Sequence, residues 1–187
     1  MKITNPAFIV DGFTEKLIVN HYCPSVKVTR TDLNGKDVTL QAIANKIGTF
    51  IKLLNNKYYP IIILVDRESR SENCTDLSEK LLQLLKEKDI NGNDIRVAFA
   101  DKMIENWILA DWEVLNTSKV KPENTDGLNG TSEIKKILSN YSKTTDGVEL
   151  LKKCNIKRIY ENSPSFQAFI NIIQDINCHK FNLENIS

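Results

Sequence analysis

Three carboxylates stand where short apolar runs give out. Asp11 follows AFIV (7–10) and precedes Gly12, and Asp66 follows IIILV (61–65), with Glu68 two residues on in LVDRES. Like charges gathered at one place raise one another's proton affinity unless a cation separates them. Hard carboxylate oxygens select Mg²⁺ or Mn²⁺, and such an ion polarises a phosphate and stabilises the leaving oxygen in phosphodiester cleavage. Each acid also has a plainer use. Asp is a common helix cap, a role open to Asp11 and Asp66, while Arg67 and Arg70 flank Glu68 and can neutralise it in a solvated loop.

A second tier of residues surrounds these. Glu15 lies four positions after Asp11, a spacing that on a helix start turns it to the same edge and adds it to the catalytic candidates. Its alternative use is to complement the helix dipole. Glu105 follows another apolar run and is a further candidate metal ligand, whereas Asp111, at helical spacing from Trp107, reads mainly as packing. Arg67 and Arg70 carry forked guanidinium groups suited to phosphate. Lys143, in YSKTTDG, is a third candidate phosphate contact, set against the ordinary solvation of a loop lysine. His21, His179 and the four cysteines receive no role.

Elements of two periods must position these groups. AFIV at 7–10 reads as a strand, followed by a turn and a helix capped by Thr14; 26–31 alternates as a second strand, ending in a turn at 33–36. Apolar positions recur at helical spacing over 39–55 and 76–86. The unbroken run 61–65 reads as a central strand buried on both faces, typical of parallel sheets, and 95–100 as a fourth strand before a helix over 104–112. This rhythm predicts an α/β fold with a mostly parallel four-stranded sheet flanked by helices. In such a sheet ligands bind outside the carboxyl ends of the strands, where Asp11, Asp66 and Glu68 fall. Residues 1–115 make the α/β core. Residues 116–187, with an Asn, Thr, Gly and Pro-rich start and helical patterns at 134–138, 148–151 and 166–176, make a helical appendage on the same domain.

Composition narrows the classes. With 187 residues, 41% of them hydrophobic, the chain suits one globular domain. Its net charge of +1, from 25 Lys and Arg against 24 Asp and Glu, provides no global basic field for nucleic acid, so any such contact is local or partner-assisted. Cys23, Cys74, Cys154 and Cys178 form no CxxC pair, which argues against structural zinc. No stretch resembles a signal peptide or a membrane span, so the expectation is a cytoplasmic protein with reduced thiols and no membrane association. The absence of a GxxxxGK loop argues against ATP hydrolysis by this chain.

The order of the acids resembles the Toprim domain of topoisomerases, primases and several nucleases, which has a Glu-Gly turn after its first strand and an Asp-x-Asp turn after its third. The matching residues are Asp11-Gly12 and Asp66-Arg67-Glu68. The resemblance implies that Asp66 and Glu68 bind Mg²⁺ or Mn²⁺ and that Asp11 serves as metal ligand or acid/base. Over most of the chain IVDGFTEK, LVDRES, ENWILAD, YSKTTDGVELL and SPSFQAFINII, in that order, resemble a family of small bacterial Toprim-like proteins of unknown function. Its members are often encoded beside an ATPase, and related Toprim proteins pair with ABC-type ATPases in defence against phage. The implied function is a Mg²⁺-dependent nuclease, acting on DNA ahead of RNA, with an ATPase partner and room for homo-oligomers. Two other readings stay open: a non-catalytic regulatory subunit of an ATPase complex, and a metal-dependent phosphatase or nucleotide-handling enzyme.

Overall fold

The computed structural model describes residues 5–33, 38–54, 56–88, 90, 94–176 and 178. In chain order the elements are β1 (Ala7–Val10), α1 (Phe13–Tyr22), β2 (Lys27–Arg30), α2 (Leu40–Leu54), β3 (Ile61–Asp66), α3 (Cys74–Lys86), β4 (Ile95–Ala100) and α4 (Glu105–Ala110). A 3-10 turn (Trp112–Leu115), α5 (Gly130–Lys135), a π-type turn (Lys143–Gly147), α6 (Val148–Lys153), α7 (Ile156–Asn162) and α8 (Pro164–Ile173) complete the order. The turn read over 33–36 falls, from residue 34 on, outside the described residues, as does His179.

The four strands form one all-parallel sheet in the order β2-β1-β3-β4. β1 and β3 are central and buried at every position, which explains their unbroken apolar runs: a parallel strand covered on both faces has no polar side to show. Alternate residues serve two cores. Ala7, Ile9, Ile61, Ile63, Val65, Val97 and Phe99 pack against α2 and α3. Phe8, Val10, Ile62, Leu64, Ala98 and Ala100 face α1 and the helices that come after β4.

That second layer is built around Trp107, whose indole lies 4.9 Å from the Phe166 ring and 5.4 Å from Phe169. The indole N–H donates to Ser165 Oγ at 3.1 Å, so this large side chain is buried with its polar atom satisfied. Phe166, Phe169, Ile170 and Ile173 are therefore core. Asp111, fully buried, accepts from the Asn155 N–H at 2.7 Å and from Arg158 Nε at 2.5 Å. It is a clamp between α4 and α7.

The structure departs from the sequence expectations at three points. The first helix begins at Phe13 with Gly12, not Thr14, at its N-cap. Helix α7 is additional to the expected elements, because its two buried apolar residues, Ile156 and Ile159, are too short a pattern to signal a helix. Cys23 and Cys178 are joined in a disulfide between the C-cap of α1 and the segment beyond α8, so the expectation of reduced thiols fails for this pair. Cys74 and Cys154 remain free. Among the described residues no helix is long and apolar enough to cross a membrane.

Candidate functional site

The chain leaves β1 toward β2 on one side and returns through α2 to β3 on the other. The carboxyl ends of β1 and β3 therefore flank the point where the winding reverses, the general location of ligand crevices in open α/β sheets. Asp11 leaves β1 there and Asp66 is the last residue of β3.

Asp11 is fixed by the strand beside it. The pairing of Val10 with Arg30 sets Asp11 opposite Thr31, whose hydroxyl donates to Asp11 Oδ1 at 3.0 Å. Asp66 is fixed by the segment between β4 and α4, since its Oδ1 accepts from the Ile104 N–H at 3.0 Å. That bond also sets the start of α4, placing Glu105 against Asp66. Glu15 faces the same space from the first turn of α1, where its Oε2 accepts from the Gly12 N–H at 3.0 Å. Its capping role and its place at the edge are thus one arrangement.

Into these acids reaches Lys143 from the π-type turn. Its Nζ lies 3.3 Å from Glu105 Oε1, 3.7 Å from Asp66 Oδ2 and 3.9 Å from Glu15 Oε1. The turn is held close by Gly147, whose missing side chain leaves room for the Tyr141 hydroxyl; a Cβ there would run into that oxygen. Tyr141 is buried, and its hydroxyl has no hydrogen-bond partner among the described residues. Burial, with the Glu105 charge nearby, holds its proton more firmly than usual.

The electrostatics follow from burial. Asp11 is raised from 3.8 to about 6, first by loss of solvent, then by Glu15, against a smaller opposing pull from the Thr31 hydroxyl. Burial first and Glu15 second push Asp66 well above the usual carboxylate range, with Lys143 opposing. Glu105 is also raised, mainly by burial. For Lys143 burial favours the neutral amine, but Asp66, Glu105 and Glu15 together outweigh it and hold the ammonium protonated.

The structure thus brings Asp11, Glu15, Asp66, Glu105 and Lys143 together and leaves three candidates at the margin. Glu68 is half-buried, in left-handed backbone with φ 56°, and its charge is felt by Asp11 while no ion pair to it is formed among the described residues. Arg67 pairs with Asp101 and donates to the Arg70 carbonyl. Arg70 donates to the carbonyls of Val38 at 2.6 Å and Arg67 at 3.0 Å. Both guanidinium groups are occupied in shaping the loop after β3. Thr31 and Tyr141 were not singled out from sequence; Thr31 was reachable by extending the β1-β2 register one residue past Arg30.

As hosts for Mg²⁺ or Mn²⁺ the acidic side chains have the right chemistry: all are hard oxygen donors. Glu105, with no exposed surface, has two carboxylate oxygens without a hydrogen-bond partner among the described residues. Lys143 Nζ faces Oε1 at 3.3 Å, which leaves Oε2 as the buried acceptor with room for a further partner. Among the described residues no group of three or more acids, histidines or cysteines is arranged to hold a metal ion as the chain stands, and the cation present at the acids is the Lys143 ammonium.

No curated protein matches the chain. Among solved structures, the C-terminal region of the Xanthomonas campestris pv. campestris OLD protein aligns over 97% of this chain and 84% of that one, at 11% identity and a TM-score of 0.33, a likeness too loose to carry an argument. The family of domains of unknown function termed DUF4276 matches residues 10–174, which is most of the sequence, and the chain belongs to that family.

Proposed function

We propose that the chain is a Mg²⁺- or Mn²⁺-dependent phosphodiesterase acting on nucleic acid, DNA ahead of RNA, and working with an ATPase partner in defence against phage. The observation that carries the catalytic part is the burial of Asp11, Glu15, Asp66 and Glu105 at the switch point of a parallel sheet, with Glu105 Oε2 buried and unpartnered among the described residues. The choice of DNA and of an ATPase partner rests on the sequence resemblance to Toprim-like proteins alone.

In this reading Asp11, Asp66 and Glu105 hold the ion, with Glu68 at the rim. A bound ion supplies Lewis-acid polarisation of the phosphate and charge for the leaving oxygen. Thr31 orients Asp11, the Ile104 N–H orients Asp66, and Glu15 braces the turn between β1 and α1. Lys143, with its side chain 40% exposed, can meet a phosphate arriving from solvent.

The test is cleavage of DNA and RNA by the purified chain, alone and with a neighbouring ATPase, in Mg²⁺ or Mn²⁺. Asp66→Asn keeps the acceptor for the Ile104 N–H and removes the charge, so it should abolish cleavage without unfolding the protein. Absence of cleavage under all these conditions refutes the proposal, and turnover of small phosphate esters but not polynucleotides would move it to a phosphatase. One observation favours a non-catalytic subunit as second reading: Lys143 already partly neutralises the acids. A calorimetric titration showing no Mg²⁺ binding would select it.

A further inference from the structure

The Lys143 ammonium stands among three of the four buried acids, 3.3 Å from Glu105 Oε1 and 3.7 Å from Asp66 Oδ2. An ion bound to either oxygen at about 2 Å would therefore lie within roughly 6 Å of the ammonium. Two cations at that separation beside buried carboxylates repel strongly. They also compete for the same oxygens, because an ammonium has only donors to offer and needs the lone pairs that an ion needs.

We propose that Lys143 is a resident counter-cation that a divalent ion must displace. This rests on the divalent-ion reading above and deepens it. The backbone that carries the lysine is pinned: Gly147 is buried over Tyr141, its N–H donates to the Ser142 carbonyl at 3.1 Å, and the Ser142 N–H donates to Asp146 Oδ2 at 2.8 Å. With the side chain 40% exposed, rotation of its four-carbon stem takes the ammonium into water while the turn stays in place. Displacement is therefore a side-chain movement, and the metal-free protein keeps its acids compensated until an ion arrives.

The test is Mn²⁺ binding by calorimetry to wild type and to Lys143→Met, with folding of the variant checked by circular dichroism. Without the competing ammonium the variant should bind Mn²⁺ about tenfold tighter or more; equal or weaker binding overturns the proposal. Wild-type binding with an unchanged variant leaves the metal site standing and removes only the displacement. Binding to neither protein removes both. Should Lys143→Met fail to fold, reductive methylation of wild-type lysines read by mass spectrometry decides. Mg²⁺ should accelerate modification of Lys143 several-fold and leave Lys80 and Lys136, paired with Glu72 and Glu133 at the surface, unchanged. No acceleration at Lys143 overturns the proposal.

Discussion

Asp11→Asn should make the metal-free protein more stable at neutral pH. Asp11 is raised from 3.8 to about 6 by burial and by Glu15, so the folded chain holds this proton more tightly than the unfolded one. The sign is then fixed: below about pH 4 both states are protonated and nothing is lost, and as pH rises toward and past 6 the fold accumulates the cost of ionising a buried acid. At about 1.36 kcal/mol per decade the gap is worth up to roughly 3 kcal/mol. Asparagine is nearly isosteric and its Oδ1 still accepts from the Thr31 hydroxyl, so the variant sheds the charge and keeps the contact. For a chain of this size about 3 kcal/mol is some 6–12 °C in Tm. Thermal unfolding in EDTA should show that gain at pH 7.5 and its disappearance near pH 4. Excess Mg²⁺ should reverse the ranking, because ligand binding stabilises only the protein that binds it. A variant no more stable at pH 7.5, or equally stabilised at both pH values, would refute the account of the charge at this site.

Two predictions concern the frame rather than the site. Asp111→Ala strands the Asn155 N–H and Arg158, and should cost about 2 kcal/mol in urea unfolding while leaving Mn²⁺ binding unchanged. Reduction of the Cys23–Cys178 disulfide, or Cys178→Ser, opens a 155-residue separation and should cost about 2–4 kcal/mol; an unchanged Tm on adding reductant would refute it.

The sheet was legible because a parallel strand buried on both faces leaves a run such as IIILV, with an acid marking its carboxyl end. Asp11 and Asp66 were readable for that reason, and Glu15 because helical spacing ties it to Asp11. Glu68 was harder: two residues beyond Asp66 the backbone turns left-handed, with φ 56° at Glu68 and φ 68° at Lys102. Side-chain direction there no longer follows from strand alternation. Arg67 and Arg70 read as phosphate contacts or as neutralising partners of Glu68, yet carbonyls of Val38 and of their own loop, with Asp101, claim them, a competition that spacing does not reveal. Lys143 carried no periodic signal. Its place depends on a π-type turn seated over Tyr141, which is a tertiary fit. The C-terminal helices showed their apolar spacing but not their use, which is to cover one face of the sheet around Trp107.

The Lys143 ion pairs also bear on the time course of folding. They join the turn before α6 to acids on α1, β3 and α4, so they close only after the long loops between those elements have been ordered. Contacts made that late contribute little to the folding barrier and act on the return path. Whatever cation occupies the acids, ammonium or metal, should leave the rate of folding almost untouched and lengthen the lifetime of the folded state.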